Sequence, residues 1–422
     1  MTLFNQLTSK QKAIFASEQP VAVAFPVSHP VGIAVIRSLG ENGVPVLGID
    51  FKPRSAGHYS RYCTPFFHPD IYKDEETFFN FLLELGKQFK TKPVLFLLDD
   101  PDLIMSLKRR EALEAYYRLP LAGWPIIEPI MDKGKLYRLC QENNYPIPET
   151  WWATSVDELD KIKSQIRYPC IIKPTFSDEF RNVFGIKARR SDNYEDLRSF
   201  FIETQKHGIE VVVQEEILGE GDQLYTYGAY CNQSQDPVSV FLGRKLYQFP
   251  PDFGTARMAE SLQDEELDHL GKWLVELTGF YGICLTEFKR DSQGQLRLIE
   301  LNPRPGGWVE HLGSYCGANF VLAAYLDTIG EAVVPSRNTD SGVKWVNFLE
   351  HMYYCLRGYG VYGYPNSGTS FMTWWRSFKN VRVESFFSWR DPMPSIVRTL
   401  SLVGEIYRSE KQLKRAGTFR LP

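Results

Sequence analysis

The sequence predicts an α/β and α+β protein of several units. A doubly wound parallel α/β domain is expected over residues 1–125, a two-lobed α+β domain over 126–335, and a small extension over 336–422. Three observations carry this expectation. Strand-like and helix-like runs alternate through the first 125 residues, as in a parallel sheet covered by helices. Beyond about 126, strand-like runs follow one another through turns such as DSQG, as in antiparallel pairing. A chain of 422 residues also exceeds one ordinary compact unit.

In chain order, VAVAF (21–25) reads as a short buried strand, Gly32–Leu39 as a helix, Gly40–Gly43 as its stop and VPVLGID (44–50) as a second strand. FFNFLLELGKQF (78–89) is helical and PVLFLLDD (93–100) is another buried strand. Ligands of such sheets collect at the carboxyl ends of strands. Those ends carry Ser28-His29, Asp50 and Asp99-Asp100. Ser28, His29, Asp99 and Asp100 are therefore candidate substrate contacts, although polar loop residues are expected there in any case. No G-x-G-x-x-G follows the first strand, so a dinucleotide site has little support.

DKGKLYRLCQENNYPIPET (132–150) reads as a helix closed by Asn-Asn and two prolines. The strand-like runs YPCIIKP, EVVVQEEI, LYTYGAYC, VSVFLGRKL, YGICLTEFKR and LRLIELN follow, with a division between lobes near 212/213. The extension is rich in Trp, Tyr and Arg, as in MTWWRSF and FFSWRDP. Its aromatics either cap the preceding core or form a peripheral membrane or partner surface.

Composition excludes several classes. A net charge of -3 argues against a general nucleic-acid binder. Seven scattered cysteines without a C-x-x-C pair read as reduced thiols in a cytoplasmic protein. The first twenty residues lack the basic-then-apolar pattern of a signal peptide, and no apolar run is long enough to span a membrane. A homodimer remains open.

The stretch RLIELNPRPGG (297–307) ends an apolar strand in Glu-x-Asn-Pro-Arg. If LTEFKRDSQGQLRLIELN is a hairpin turning at Asp291–Gly294, Glu287 lies roughly opposite Glu300, and Asn302 shares the face of Glu300. Two carboxylates facing each other repel unless compensated. A hard divalent cation supplies that compensation, and magnesium takes one or two carboxylates with water and phosphate oxygens. The alternative is a solvated edge strand. Arg304 then lies where a fixed guanidinium would steady a transferring phosphoryl group. Gly306 and Gly307 permit close approach of a ligand or an unusual turn.

Lys173 ends the apparently buried strand YPCIIKP, an odd place for an ammonium without an anion. Lys133 opens a helix; alone, either lysine reads as a surface residue. VVVQEEILGEGD (211–222) runs from a buried strand into a glycine-broken turn. Such a crossing offers backbone groups to an adenine, with Glu216 or Asp222 beyond it for ribose hydroxyls.

These segments, in this order, resemble the ATP-grasp superfamily over about residues 20–330. The likeness is greatest to the carbamoyl-phosphate-synthase-type ligases and the D-aspartate-ligase-like carboxylate–amine ligases. The resemblance implies ATP and Mg2+ as cofactors, with Mn2+ as a substitute. Lys133 and Lys173 would bind ATP phosphates, and Glu215, Glu216 and the Ile217 backbone would lie at the adenine hinge, with Asp222 on the ribose. Glu287, Glu300 and Asn302 would hold the metal, and Arg304 would steady an acyl phosphate. Lys245, with Arg244 beside it, matches a basic position that faces phosphate or substrate. One departure stands out: many members carry a glycine-rich lid after the second lysine, and this chain has PTFSDEFRNVFG. Ser177, Arg181 or Asn182 could substitute; a different lid chemistry, or a lid that orders only with substrate, fits equally well.

The activity implied is an ATP- and Mg-dependent joining of a small-molecule carboxylate to an amine through an acyl phosphate. A non-catalytic nucleotide-binding or scaffold protein with the same fold is the alternative. His311 is either a substrate contact or a helical core histidine.

Overall fold

The computed structural model describes residues 4, 6–70, 73–217, 224–249, 254–356 and 370–402, without the side chains of 177–179. The first sheet is fully parallel, in the order Cys63–Phe67, Val46–Asp50, Ala22–Phe25, Val94–Leu97. Its inner strands are apolar throughout because both faces are covered. Val23, Phe25, Leu47, Ile49, Leu95 and Leu97 join one core cluster, while Ala22, Ala24, Val46, Val94 and Phe96 join another on the opposite face. The helix expected over Gly32–Leu39 spans Pro30–Gly40, with Pro30 at its first position, where a missing N–H costs nothing. It leaves the first strand so tightly that a Cβ on Gly32 would come within 2.5 Å of Val27 Cα.

A small antiparallel sheet follows, ordered Thr150–Trp151, Val211–Glu215, Cys170–Pro174, Arg189–Ser191. Leu159, Leu197 and Phe201 from helices Val156–Ile162 and Tyr194–Lys206 pack on Trp151, Ile172 and Val213, giving this lobe its own core. The 212/213 division therefore falls within one strand of this sheet.

The large sheet runs Leu296–Asn302, Gly282–Arg290, Leu224–Cys231, Pro237–Phe249, Thr255–Ser261, Lys344–Val346, Val381–Glu384. Ser336–Arg337 pairs with Pro237–Phe249 off this path. The described strands beyond 335 thus extend the edge of the large sheet. Trp345 is 2% exposed and packs with the core formed by helices Gly307–Tyr315 and Phe320–Ile329. Downstream, buried Asp391 ties the extension to the first domain. Arg37 Nε donates to its carboxylate at 3.1 Å, Ser60 Oγ at 2.8 Å and the Arg61 backbone N–H at 2.9 Å.

All seven cysteines are free thiols, six of them buried. Among the described residues no helix is long and apolar enough to cross a membrane.

Candidate functional site

The hairpin Gly282–Arg290/Leu296–Asn302 builds the centre of the site. Its turn is fixed by Asp291, whose carboxylate accepts the backbone N–H groups of Gln293 and Gln295 and the Arg297 guanidinium, each at 2.9 Å. Gly294 takes φ +77°, the left-handed conformation that favours glycine. The resulting register sets Glu287 opposite Glu300, with a bulge just after Glu287. Asn302 Nδ2 donates to Glu300 Oε1 at 3.0 Å, so those two share a face.

The like charges are compensated by cations. Lys245, 7% exposed, reaches across strand Leu224–Cys231 to Glu287, at 2.7 Å and 3.0 Å to its two carboxylate oxygens. Burial alone would raise the Glu300 carboxyl. Lys133, the Asn302 amide, Lys245 and Lys187 outweigh it and hold that group well below the usual carboxylate range. Lys173, also 7% exposed, donates to Gln214 Oε1 at 2.8 Å. Burial and the nearby Lys133 pull its ammonium down to about 8, against the pull of Glu300.

These side chains line a cavity of about 370 Å³ between the small and large sheets. Lys133, Lys173, Lys187, Lys245, Lys289 and Arg190 supply six cations to its wall, facing Glu287 and Glu300. Glu215, Glu216 and Ile217 line the same cavity where strand Val211–Glu215 ends. Glu215 is bound through its backbone N–H to the Glu149 carbonyl at 2.8 Å, and Glu216 pairs with Arg190 at 3.3 Å. Asp222 lies outside the described residues. Helix Lys133–Glu142 brings Lys133 in at its first position, capped by Asp132, and the Lys133 backbone N–H donates to Thr175 at the lid.

A second cavity of about 170 Å³ lies on the other side of Glu300 and Asn302. Arg304, Asp100, Lys133, Lys187 and Arg181 supply its charges; Ile104, Ile130, Met131, Leu136 and Phe176 supply an apolar wall. Arg304 forms an ion pair with Asp100, which with Asp99 raises the guanidinium further, against the effect of burial.

The remaining expected residues are not brought to either cavity. Arg244 pairs with Glu260 at 2.8 Å. Asp99 caps helix Asp100–Lys108 through the Asp100 N–H at 3.0 Å. His29 is the N-cap residue of Pro30–Gly40 without a side-chain cap bond, and Ser28 Oγ is enclosed beside it. Gly306 and Gly307 sit where a Cβ would press on Leu285 Cδ1 at 2.2 Å and on Pro30 Cβ at 3.0 Å; their smallness serves packing. His311 is buried in helix Gly307–Tyr315, where Trp345 Nε1 donates to its Nδ1 at 3.4 Å. Burial and Arg37 lower it to about 3, so it stays neutral.

Three residues of the larger cavity's wall, Lys289, Lys187 and Arg190, went unseen in the sequence. Lys289 was accessible to the same period-two count that placed Glu287. Lys187 precedes the short return strand Arg189–Ser191 and Arg190 is its middle residue; the pairing of that strand with Cys170–Pro174 has little apolar signal to announce it. Glu310, 1% exposed, accepts the Gly306 N–H at 2.7 Å, and burial raises its carboxyl to about 8.

As a metal site, Glu287, Glu300 and Asn302 offer three oxygen-bearing side chains of the kind a hard cation takes. Among the described residues no third carboxylate, His or Cys joins them. That suits an ion completed by water and phosphate oxygens rather than an all-protein cage, so the residues fit magnesium.

No protein-family model matches the chain. It is 28% identical over 204 residues to the arginine-specific large chain of carbamoyl phosphate synthase from Geobacillus stearothermophilus, covering 44% of this chain and 18% of that one. It is 22% identical to the D-aspartate ligase of Enterococcus faecium, covering 59% of this chain and 62% of that protein. The chain thus spans less than two thirds of either relative's length. Among solved structures, the biotin carboxylase ATP-analogue complex from Campylobacter jejuni superposes with a TM-score of 0.59 at 14% identity, over 75% of this chain and 72% of that one. The L-amino acid ligase of Bacillus licheniformis gives 0.54 at 18% identity, over 74% of each chain. The chain is thus similar in sequence to these two enzymes and shares its fold with these two solved structures.

Proposed function

We propose that the chain is an ATP- and magnesium-dependent carboxylate–amine ligase. The observation that carries this reading is the cation-walled cavity between two sheets, with Glu287 and Glu300 facing each other on its floor. A nucleoside triphosphate is an anion of matching charge, and the strand end at Glu215–Ile217 suits its base. Glu287, Glu300 and Asn302 would hold magnesium (or manganese in its place), which when bound neutralises charge on the phosphates.

A carboxylate is a poor electrophile, so it must be activated before an amine attacks. Its oxygen would take the γ-phosphoryl group, ADP leaving. The amine would then attack the acyl carbon, and phosphate would leave as the C–O bond breaks and the amine loses a proton. Lys133, Lys173 and Lys187 hold the phosphates in line, and positioning and charge neutralisation are most of such catalysis. The 170 Å³ cavity, with Arg304 and Arg181 beside an apolar wall, suits the acid substrate. Asp100 orients Arg304 from the first domain. An amino acid is the favoured small-molecule substrate, supported by the names of the D-aspartate ligase and the L-amino acid ligase above.

The test is ADP release from ATP across a panel of acids and amines. Turnover that needs one member of each class, and that is lost in Glu300→Gln, supports the reading. ATP binding without turnover on any pair would instead favour the non-catalytic nucleotide binder.

A further inference from the structure

The extension carries a surface that the proposed ligase chemistry does not use. Helix Phe371–Ser377 exposes Phe371, Met372 and Trp375 at 72%, 55% and 63%, with the rings of Phe371 and Trp375 stacked at 6.3 Å. After strand Val381–Glu384, Trp389 is 89% exposed. In helix 393–402, Met393, Ile396 and Leu400 point outward at 45%, 50% and 65%, while Val397 is buried. Spacings of three and four residues put those three on one helix face, so the face left to water is the apolar one. A soluble surface does not concentrate large apolar side chains in this way without an occupant.

Charge selects the occupant. Residues 370–422 contain ten Lys and Arg against four Asp and Glu, in a chain whose net charge is -3. Arg376, Lys379, Arg382 and Arg390 are exposed in the same segment. Of the two acidic residues of the described part, one is buried and the other is half-buried and held by backbone N–H groups. Asp391 is 1% exposed and held by Arg37, Ser60 and Arg61, and Glu384 accepts the backbone N–H groups of Phe348, Phe386 and Phe387. Exposed tryptophan and aliphatic side chains in a segment that also exposes Arg and Lys are the chemistry that settles into a lipid interface with anionic headgroups.

We propose that residues 370–402 form a peripheral docking surface for an anionic phospholipid bilayer. Trp375, Trp389, Ile396 and Leu400 enter the headgroup–acyl boundary, and the surrounding Arg and Lys side chains meet the lipid phosphates. The strap through Asp391 holds this surface against the first domain, so docking does not require the extension to detach. The surface stands whether or not the ligase reading holds.

The test is co-sedimentation of the full chain with vesicles of phosphatidylcholine alone and of phosphatidylcholine with about one third phosphatidylserine. Binding is expected only to the anionic vesicles, and is expected to fall at least tenfold in about 0.5 M salt, where surface charges are screened. Trp389→Ser with Leu400→Glu, both exposed, is expected to abolish sedimentation while leaving the thermal midpoint unchanged. Arg382→Glu with Arg390→Glu tests the charge independently, with the same expected loss. Three results would overturn the proposal: no sedimentation with either vesicle, equal sedimentation with both, or a lipid-free dimer in light scattering that the Trp389/Leu400 pair converts to monomer. The last would assign the surface to a second copy of the chain.

Discussion

Lys173 shows how one residue can carry a site's history of charge. Its ammonium is buried against Lys133, and its affinity for the proton falls to about 8 in the nucleotide-free protein. The charged form is disfavoured in the fold relative to the unfolded chain, where lysine titrates near ~10.4. This group therefore costs stability below about 8, and that cost is relieved as pH rises from about 8 towards the unfolded value. A triphosphate reverses the balance by favouring the ammonium. ATP binding near pH 9 should accordingly take up protons, and the uptake should vanish by about pH 6.5, where Lys173 is already charged. Calorimetry in buffers of different ionisation enthalpy measures it; equal enthalpies at high pH, or an uptake that survives in Lys173→Met, would contradict the assignment.

At this scale the sequence was informative where a residue's partners lie close along the chain. Glu287 and Glu300 flank one short turn, so a count from DSQG brings them near each other, and the bulge after Glu287 completes the pairing, since an unbroken register would have set Glu287 opposite Ile299. Lys245 and Glu287 meet across an intervening strand, a contact that no local count reveals. Gly306 and Gly307 show a second reason for glycine. Their permissiveness suggested a ligand, whereas the space beside them is filled by Leu285 and Pro30.

The element that departs most from the resemblance read in the sequence is the segment after Lys173. Where many ATP-grasp proteins have a glycine-rich loop, this chain folds Ser177–Phe184 into a helix ended by left-handed Gly185 at φ +69°. A helix cannot turn a run of backbone N–H groups onto phosphates along its length, because its own carbonyls take them. Side chains are left to do that work: Arg181 lines the smaller cavity and Lys187 lines both. Lys187→Met is therefore expected to raise the KM for ATP about tenfold, roughly 1.4 kcal/mol of lost phosphate interaction. The thermal midpoint without nucleotide should not fall, since a cation is removed from a crowd of cations. An unchanged KM in steady-state kinetics would show that the lid holds ATP by other means. PTFSDEFRNVFG announced the missing glycines, but not the helix that replaces them.

On the scale of the whole molecule, two sheets meet around one pair of glutamates, helix Asp100–Lys108 of the N-terminal part reaches the smaller cavity, and the C-terminal part closes back on Arg37, Ser60 and Arg61 through Asp391. The parallel sheet was legible from its short apolar runs, because both faces are buried and the pattern is continuous. The membership of Lys344–Val346 and Val381–Glu384 in the large sheet was not. Strands of three and four residues at a sheet edge carry too few side chains for a period to emerge. The clasp couples units remote in sequence, Arg37 to Asp391. Asp391→Ala would strand a buried guanidinium and is expected to cost about 3–5 kcal/mol, read as a lower midpoint in chemical denaturation. A loss within experimental error would mean that the extension is held elsewhere.

The central claim is that a carboxylate is activated by phosphorylation before the amine attacks. It is tested most directly by isotope transfer. With the acid substrate labelled with heavy oxygen in its carboxylate, turnover with ATP and amine should deliver one labelled oxygen to the released phosphate, seen by mass spectrometry. Unlabelled phosphate accompanying amide formation would contradict the account.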